Sequence, residues 1–220
     1  MGRKLRERPN GSTEATGLYD PVAFARTGTP MISTELRARR PVVGVMGSSS
    51  RAYDDLAAPL GGWLASLGVH LLNGGGMATM EAVSRAFTEV SPREGLVIGV
   101  LPADLPDGTA VPRAGYPNPY VEIAIFTHLP LSGITGTDPR SRNHINILSS
   151  DVVIILPGSE GTQSEMELAV RYAKPVIAYF GEHPVAWPVP DGVPVARTLA
   201  DVERFVRSSL AGRLRQEESR

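Results

Sequence analysis

The sequence predicts an α/β fold of the Rossmann-like, doubly wound kind: a single domain with a mostly parallel sheet flanked by helices. From Pro41 onward, short apolar runs alternate with segments of helical periodicity, which is the pattern of consecutive β-α-β units. Three of the apolar runs are followed directly by a turn of small residues. In open α/β folds such turns meet at the carboxyl edge of the sheet, where ligands bind.

The predicted strands and helices follow in order along the chain. Runs rich in Val, Ile and Leu are typical of buried strands, and the segments between them have the spacing of amphipathic helices. Strands are predicted over residues 42–46, 69–72, 96–101, 120–126, 152–156 and 176–180. Helices are predicted over about 55–67, 78–89, 138–149, 162–173 and 199–214.

Two of the helices contain prolines that affect where they begin. Asp138 followed by Pro139 predicts a helix start, because aspartate can cap the free amides and proline suits the first helical position. The first helix contains Pro59. Either that helix begins near Leu56 and places the proline in its first turn, or it is kinked at the proline.

Two segments lie outside the alternation. Residues 1–38 scatter Gly, Pro, Thr and Arg with little periodicity, so we expect an extended amino-terminal arm, with a short helix near residues 22–25, ahead of a domain over residues 39–220. The segment from Pro102 to Pro119 is predicted to be a loop, broken by Pro106, Pro112 and Pro117. This loop is a candidate lid over a ligand.

Composition and charge exclude several classes of function. The chain has 22 basic and 23 acidic residues, so it has no overall field to attract nucleic acid or an anionic membrane. It has no cysteine, and hence no disulfide, thiol nucleophile or cysteine metal site. The sequence contains neither a secretory signal nor a membrane-spanning apolar run. We therefore expect a cytoplasmic protein.

The segment from Leu156 to Glu165 is the most informative part of the sequence. It follows an apolar run, its glycines permit a tight turn, and the helix after it presents free amides and the positive end of its dipole, which favours a bound phosphate. The alternative is a capping box, in which Thr162 caps the helix and Glu165 returns to the amide of Thr162. Similar turns at residues 47–50 and 73–76 favour the phosphate interpretation.

Other polar side chains are weaker candidates. Arg140 and Arg142 fall in the first turn of the helix predicted after Asp138, where the dipole disfavours cations, so either a bound phosphate compensates them or they extend into water. His128 and His144 lack metal-ligand spacing, so no metal is expected. The serines at positions 48–50 would donate to a phosphate or ribose, or would only cap their own turn.

Together, these motifs resemble the Lonely Guy (LOG) superfamily over residues 41–180. The motifs are Gly47-Ser48-Ser49, Asn73-Gly74-Gly75-Gly76, Met80-Glu81-Ala82, Val97-Ile98-Gly99-Val100-Leu101-Pro102, Arg142-Asn143 and Pro157-Gly158-Ser159-Glu160-Gly161-Thr162-Gln163-Ser164-Glu165. Within the superfamily, the motifs at residues 80–82 and 142–143 are more similar to the branch that includes molybdenum cofactor carrier proteins than to the plant-type cytokinin-activating enzymes.

The resemblance implies a Rossmann-like fold, usually a homodimer, that binds nucleoside 5′-monophosphates. Enzymatic members hydrolyse the N-glycosidic bond to release a base and ribose 5-phosphate, and their catalytic pair falls here on Glu165 and Arg142. No metal or redox cofactor is implied. The residues expected to bind the phosphate or nucleotide are Gly47, Ser48, Ser49, Gly74, Gly75, Gly76, Arg142, Asn143, Pro157, Gly158, Ser159, Gly161 and Thr162.

The sequence departs from the enzymatic pattern in four places. Ser159 replaces the second glycine of the motif, Ser164 stands where active members usually carry another glutamate, and Asn143 stands where they have lysine. Residues 129–137 also lengthen the approach to Arg142. These departures concern the activity rather than the fold.

Two functions follow from these residues. In the first, the protein hydrolyses a nucleoside 5′-monophosphate, with Glu165 stabilising the oxocarbenium-like centre while the phosphate anchors the substrate. In the second, it is a non-catalytic carrier or sensor of the molybdenum cofactor or a nucleotide. A homodimer is expected in either case, because the apolar Ile145, Ile147 and Leu148 spread around their helix more widely than one sheet-facing stripe requires.

Overall fold

A computed structural model of the protein describes residues 39–217. The arm predicted over residues 1–38, with its short helix, lies outside the described residues. The helices are α1 (Asp54–Ser66), α2 (Thr79–Thr88), α3 (Asn143–Ser149), α4 (Glu160–Arg171) and α5 (Leu199–Glu217). The strands are β1 (Val42–Met46), β2 (His70–Asn73), β3 (Val97–Leu101), β4 (Ala103–Asp104), β5 (Val111–Pro112), β6 (Ile123–Phe126), β7 (Val152–Ile155), β8 (Val176–Tyr179) and β9 (Val195–Ala196).

The main sheet has seven strands in the order β6-β3-β2-β1-β7-β8-β9, and every neighbouring pair is parallel. The predicted Rossmann-like fold is therefore confirmed. The chain builds outward from β1 in one direction through β2 and β3, and in the other through β7 and β8. Strand order reverses at β1, and the crevice at the carboxyl ends of β1, β2 and β7 is the place where this class of sheet binds ligands.

The two faces of the sheet are both covered, which explains the continuous apolar runs in the sequence. In β7, Val152 and Ile154 belong to the core on the side of α1, α2 and α5. Val153 and Ile155 alternate with them and join Met166 in the core under α4. None of the helices in the part of the chain that the structure describes is long and apolar enough to span a membrane.

The starts of two predicted helices are wrong. Asp138 does not begin α3, because its carboxylate accepts hydrogen bonds from the amide of Arg140 at 2.9 Å and from Arg140 Nε at 3.1 Å. That local pairing holds the segment in turns, and α3 begins only at Asn143. In α4 the N-cap is Ser159, so Thr162 lies inside the first turn rather than capping it.

Helix α1 begins at Asp54, so Pro59 lies beyond its first turn, and the alternative that placed it there is wrong. The neighbouring glycines differ in their surroundings. A Cβ at Gly61 would overlap the carbonyl oxygen of Val83 on α2, whereas one at Gly62 would meet nothing within 4 Å. Gly61 therefore permits the close approach of α1 to α2. Gly62 has no such function.

The proline-rich loop contains a short antiparallel pair, β4 with β5, that the sequence did not predict. Strand β9 was also missed, because a two-residue strand is too short to show a periodicity. It extends the sheet beyond β8.

Candidate functional site

A cavity of about 140 Å³ opens at the carboxyl edge of the sheet. Volumes near 150 Å³ hold one small ring, so the enclosed part suits a phosphate or a single ring, with the rest of a larger ligand outside it. Its lining combines predicted and unpredicted residues: Gly47, Ser49, Met80, Tyr116, Ser132, Gly133, Arg142, Asn143, Ser159, Gly161, Thr162 and Glu165.

The turn after β1 contributes backbone and one serine to the cavity. Ser48 Oγ accepts the amides of Ser50 at 3.1 Å and Arg51 at 3.0 Å. The amide of Ser48 in turn donates to the carbonyl oxygen of Pro157 at 3.1 Å. Ser48 therefore caps its own turn and joins it to the turn after β7, while Gly47 and Ser49 line the cavity.

The glycine turn after β2 is held from both sides. Asn73 Oδ1 accepts the amide of Gly75 at 2.8 Å, and Gly75 has a φ of 70°, which favours glycine. From the proline-rich loop, Asn118 Nδ2 donates to the carbonyl oxygen of Gly76 at 2.7 Å. The three glycines do not line the cavity. Gly74 instead makes room for Arg142, since a Cβ there would overlap the guanidinium.

The amino terminus of α4 supplies the donors expected of a phosphate site. Its N-cap, Ser159, makes no side-chain capping hydrogen bond. The amides of Thr162 and Gln163 are already occupied, because both donate to the carbonyl oxygen of Ser159, at 2.9 and 3.0 Å. The donors left for an anion are the amides of Glu160 and Gly161, the first two residues of the helix. Ser159, Gly161 and Thr162 line the cavity, so the positive end of the helix dipole faces it. Pro157 and Gly158 shape the turn behind them.

Arg142 is buried at the cavity wall with unpaired donors. Its side chain is 6% exposed, and among the described residues Nε and Nη1 have no hydrogen-bond partner. Glu165 is the carboxylate nearest to it, with Nη1 3.7 Å from Oε1, too long for a hydrogen bond. Arg140, by contrast, is 72% exposed and pairs with Asp138. The interpretation that these arginines extend into water therefore fits Arg140 but not Arg142.

Glu165 lies beside Arg142 and does not form the capping box. Its Oε1 accepts a hydrogen bond from Asn146 Nδ2 at 3.2 Å, and the amide of Thr162 donates to Ser159 instead. Burial raises the pKa of the Glu165 carboxyl above its ordinary value, against the smaller lowering by the Arg142 charge and the Asn146 hydrogen bond. The capping alternative is therefore wrong, and the side chain lines the cavity as an acid that desolvation pushes towards its neutral form.

Asn143 and Ser164, two of the departures from the enzymatic pattern, contact each other. Asn143 Nδ2 donates to Ser164 Oγ at 3.2 Å, and both residues are buried. Positions that carry opposite charges in active members of the superfamily thus hold one neutral hydrogen-bonded pair here. The two departures are a single physical change.

Tyr116, Ser132, Gly133 and Met80 line the cavity although the sequence did not single them out as site residues. The first three lie in long loops that tertiary hydrogen bonds position. Arg113 makes four of these bonds, to Asp104 Oδ1, Ser132 Oγ and the carbonyl oxygens of Ala103 and Pro130. The predicted lid loop therefore supplies Tyr116 to the cavity wall.

His144 lies close to the site but does not line it. Its Nδ1 is 2.6 Å from Tyr172 Oη, and its Nε2 lies within hydrogen-bond distance of the carbonyl oxygens of Thr137 and Asp138. The first contact ties α3 to the C-cap of α4, and the others tie α3 to the segment that precedes it. Among the side chains that the structure describes, no group of three His, Asp or Glu is arranged to hold a metal ion.

Comparison with known proteins gives two findings at the level of the family. A family model for the SLOG cluster4 family matches residues 40–191. The molybdenum cofactor binding protein of the phototrophic bacterium Rippkaea orientalis is 30% identical, over 79% of this chain and 99% of that one, with a TM-score of 0.60. A search of curated proteins found no match.

Two other solved structures extend this picture. The molybdenum cofactor carrier protein of Chlamydomonas reinhardtii is 28% identical over 79% of this chain and 99% of that one, with a TM-score of 0.58. DNA processing protein A of Helicobacter pylori is 18% identical over 80% of this chain and 84% of that one, with a TM-score of 0.53. This last likeness concerns the fold alone.

Proposed function

The chain belongs to the SLOG cluster4 family, on the branch of the LOG superfamily that includes molybdenum cofactor carriers, and we propose that it binds a phosphorylated small molecule and holds it intact. The anionic group of the ligand lies between the amino terminus of α4 and the guanidinium of Arg142. The ligand is the molybdenum cofactor, whose pterin carries a phosphate, or a nucleotide.

Arg142 is the observation that carries this proposal. A buried guanidinium nearly always has its donors paired, because an unpaired charged donor out of water costs several kcal/mol. Here Nε and Nη1 have no partner in the described part of the chain. The uncapped start of α4 faces the same cavity. A phosphate would accept hydrogen bonds from both and would compensate the positive charge.

Two features favour a carrier over a hydrolase. Cleavage of an N-glycosidic bond needs an ionised carboxylate beside the sugar, but burial raises the pKa of Glu165 and so favours its neutral form. The pair of Asn143 and Ser164 is neutral, so it provides neither an acid that could protonate the leaving base nor a carboxylate that could orient water. The cavity therefore offers binding groups and few reactive ones.

Hydrolysis of a nucleoside 5′-monophosphate is the second candidate function. Glu165 lines the cavity beside Arg142, which is the arrangement that the catalytic interpretation requires. A bound phosphate would pair with Arg142 and neutralise its charge, so Arg142 would no longer favour the ionised form of Glu165. Ionisation of Glu165 would then depend on the Asn146 hydrogen bond and on the positive charge that develops at the sugar. Turnover is expected to be slow in that case.

The two functions are separated by running a binding screen and a base-release screen in parallel. Calorimetry tests nucleoside 5′-monophosphates and pterin phosphates for saturable binding, while chromatography tests the same samples, at protein concentrations above the ligand, for free base. Binding without base release supports the carrier. If base is released at a rate that increases with protein concentration, and Glu165→Gln releases none, the protein is a hydrolase and not a carrier.

A further inference from the structure

Asn143 lines the cavity and carries a buried side-chain oxygen, Oδ1, that has no hydrogen-bond partner among the described residues. The residue is 2% exposed and lines the cavity directly after Arg142 in the sequence. Its Nδ2 donates to Ser164 Oγ at 3.2 Å, but its Oδ1 has no partner among the atoms that the structure describes. Buried side-chain acceptors are nearly always paired, so this oxygen is expected to meet a donor that comes with the ligand.

The orientation of the Asn143 amide is determined by a chain of hydrogen bonds. Two carbonyl oxygens can accept the single proton of Ser164 Oγ, that of Gly161 at 2.7 Å and that of Gly133 at 3.4 Å, and the nearer one is the better acceptor. The hydroxyl can then only accept from Asn143, so the amide group facing it must be the NH₂ and not the oxygen. A flipped amide would place two acceptors against each other. Oδ1 is therefore the atom left for the ligand.

The backbone of a neighbouring loop also confines the side chains of Asn143 and Ser164. A Cβ at Gly136 would overlap both Ser164 Oγ and Asn143 Nδ2, so the backbone of residues 133–136 packs directly over them. This packing leaves the amide little room to rotate. An acceptor held in one position can discriminate between ligands, because a ligand without a donor leaves it buried and unpaired.

We infer that Asn143 Oδ1 determines specificity by accepting a hydrogen bond from an O–H or N–H group of the ligand that lies close to its phosphate. This inference rests on the proposed function, in which Arg142 holds the phosphate next to it. Two ligand classes supply such a donor: a ribose hydroxyl of a nucleotide, or a ring N–H of a pterin phosphate. A phosphorylated ligand without the donor binds more weakly.

The first experiment compares matched ligands on the wild-type protein by calorimetry. One pair is adenosine 5′-monophosphate and its 2′,3′-dideoxy analogue. The other is 6-hydroxymethyl-5,6,7,8-tetrahydropterin phosphate, whose N5–H is adjacent to the carbon that bears the phosphorylated arm, and its N5-methyl derivative. In the pair that contains the true donor, loss of that donor is expected to weaken binding about tenfold, equivalent to ~1.4 kcal/mol. The pair that shows the loss identifies the source of the donor.

The second experiment repeats the comparison on three variants, of which the two at Asn143 are close in size to the wild type. Asn143→Leu removes the acceptor, so both members of the pair should bind with the same affinity. Asn143→Asp keeps an acceptor at this position, so the preference should persist even though its negative charge weakens both phosphates. Ser164→Ala, which frees the amide to rotate, should give an intermediate preference. Thermal unfolding checks that each variant is folded.

The outcomes separate this inference from the function on which it rests. If no phosphorylated probe binds the wild-type protein, the proposed function fails and the inference fails with it. If the probes bind but the wild type does not discriminate within either pair, only the role of Asn143 is overturned. An undiminished preference in Asn143→Leu also overturns it, since the donor then meets some other group.

Discussion

Replacing Arg142 with methionine should raise the unfolding free energy of the ligand-free protein and weaken its binding of a phosphorylated ligand. Methionine retains the length of the side chain but removes a buried guanidinium with two unpaired nitrogens. It also removes a cation from the N-cap of α3, where the helix dipole disfavours it. The ion pair that is lost is weak, since its atoms are 3.7 Å apart and burial favours the neutral form of the carboxyl of its partner, Glu165.

The magnitude follows from these contacts. A buried unsatisfied donor costs about 1–3 kcal/mol, and the lost attraction to Glu165 offsets part of the gain. We expect a net stabilisation of about 1 kcal/mol, or roughly 2–4 °C in Tm for a chain of this length. Binding should weaken by about ten- to a hundredfold, because each charge-assisted hydrogen bond to the phosphate contributes about 1.5–3 kcal/mol.

The measurements are thermal and urea unfolding without ligand, and calorimetric titration with inorganic phosphate and adenosine 5′-monophosphate. Arg140→Met is the matched control, since Arg140 is exposed and, among the described residues, pairs with Asp138. The backbone amide of residue 140 can still donate to Asp138 in this variant, so stability should change little and affinity should be unchanged. If Arg142→Met loses more than about 2 kcal/mol of unfolding free energy, Arg142 is a structural residue. Unchanged affinity for phosphate would refute the reasoning as well.

Four other predictions test separate parts of the account. Burial raises the pKa of Glu165 in the folded protein above its value in the unfolded chain, which is near 4.5. Between these two pKa values the folded protein retains a proton that the unfolded chain has released. The unfolding free energy should therefore fall as pH rises from about 4.5 through the folded-state pKa. Glu165→Gln should remove this fall in pH-dependent unfolding and retain phosphate binding, and an unchanged pH profile would contradict the buried neutral acid. Gly161→Val should weaken phosphate binding at least tenfold by crowding the first turn of α4, measured by calorimetry on folded protein, and equal affinity would exclude this turn as the anion site. Gly62→Ala should raise the unfolding free energy by roughly 0.5–1 kcal/mol while Gly61→Ala lowers it, since only the latter Cβ meets α2, and a gain from both would show that the helices do not approach as described. The expected homodimer should appear in light scattering at micromolar concentration and weaken on Leu148→Glu, because Leu148 is 51% exposed on α3; a monomeric wild type would refute it.

The strand and turn pattern was predictable because it depends on local chemistry. Apolar runs buried on both faces, and glycines directly after them, indicate parallel strands and tight turns without knowledge of the rest of the chain. The predicted site residues Gly161 and Thr162 line the cavity for this reason. The start of α3 was not predictable from Asp138, because the aspartate pairs with Arg140 instead of capping a helix.

The set of residues that line the cavity depends on contacts between distant parts of the chain. Arg142 could be buried only because Gly74, on the turn after β2, has no side chain in its place. Tyr116 reaches the wall because Asn118 holds its loop against Gly76. No periodicity or motif records such contacts, so sequence reasoning left the burial of Arg142 open and missed Tyr116.

A crystal structure of the protein with bound adenosine 5′-monophosphate would show where the anion lies and which atoms pair with Arg142. We expect phosphate oxygens within hydrogen-bond distance of Arg142 Nε or Nη1 and of amides in the first turn of α4, with the N-glycosidic bond intact. A phosphate bound elsewhere, with Arg142 still unpaired, would contradict this expectation.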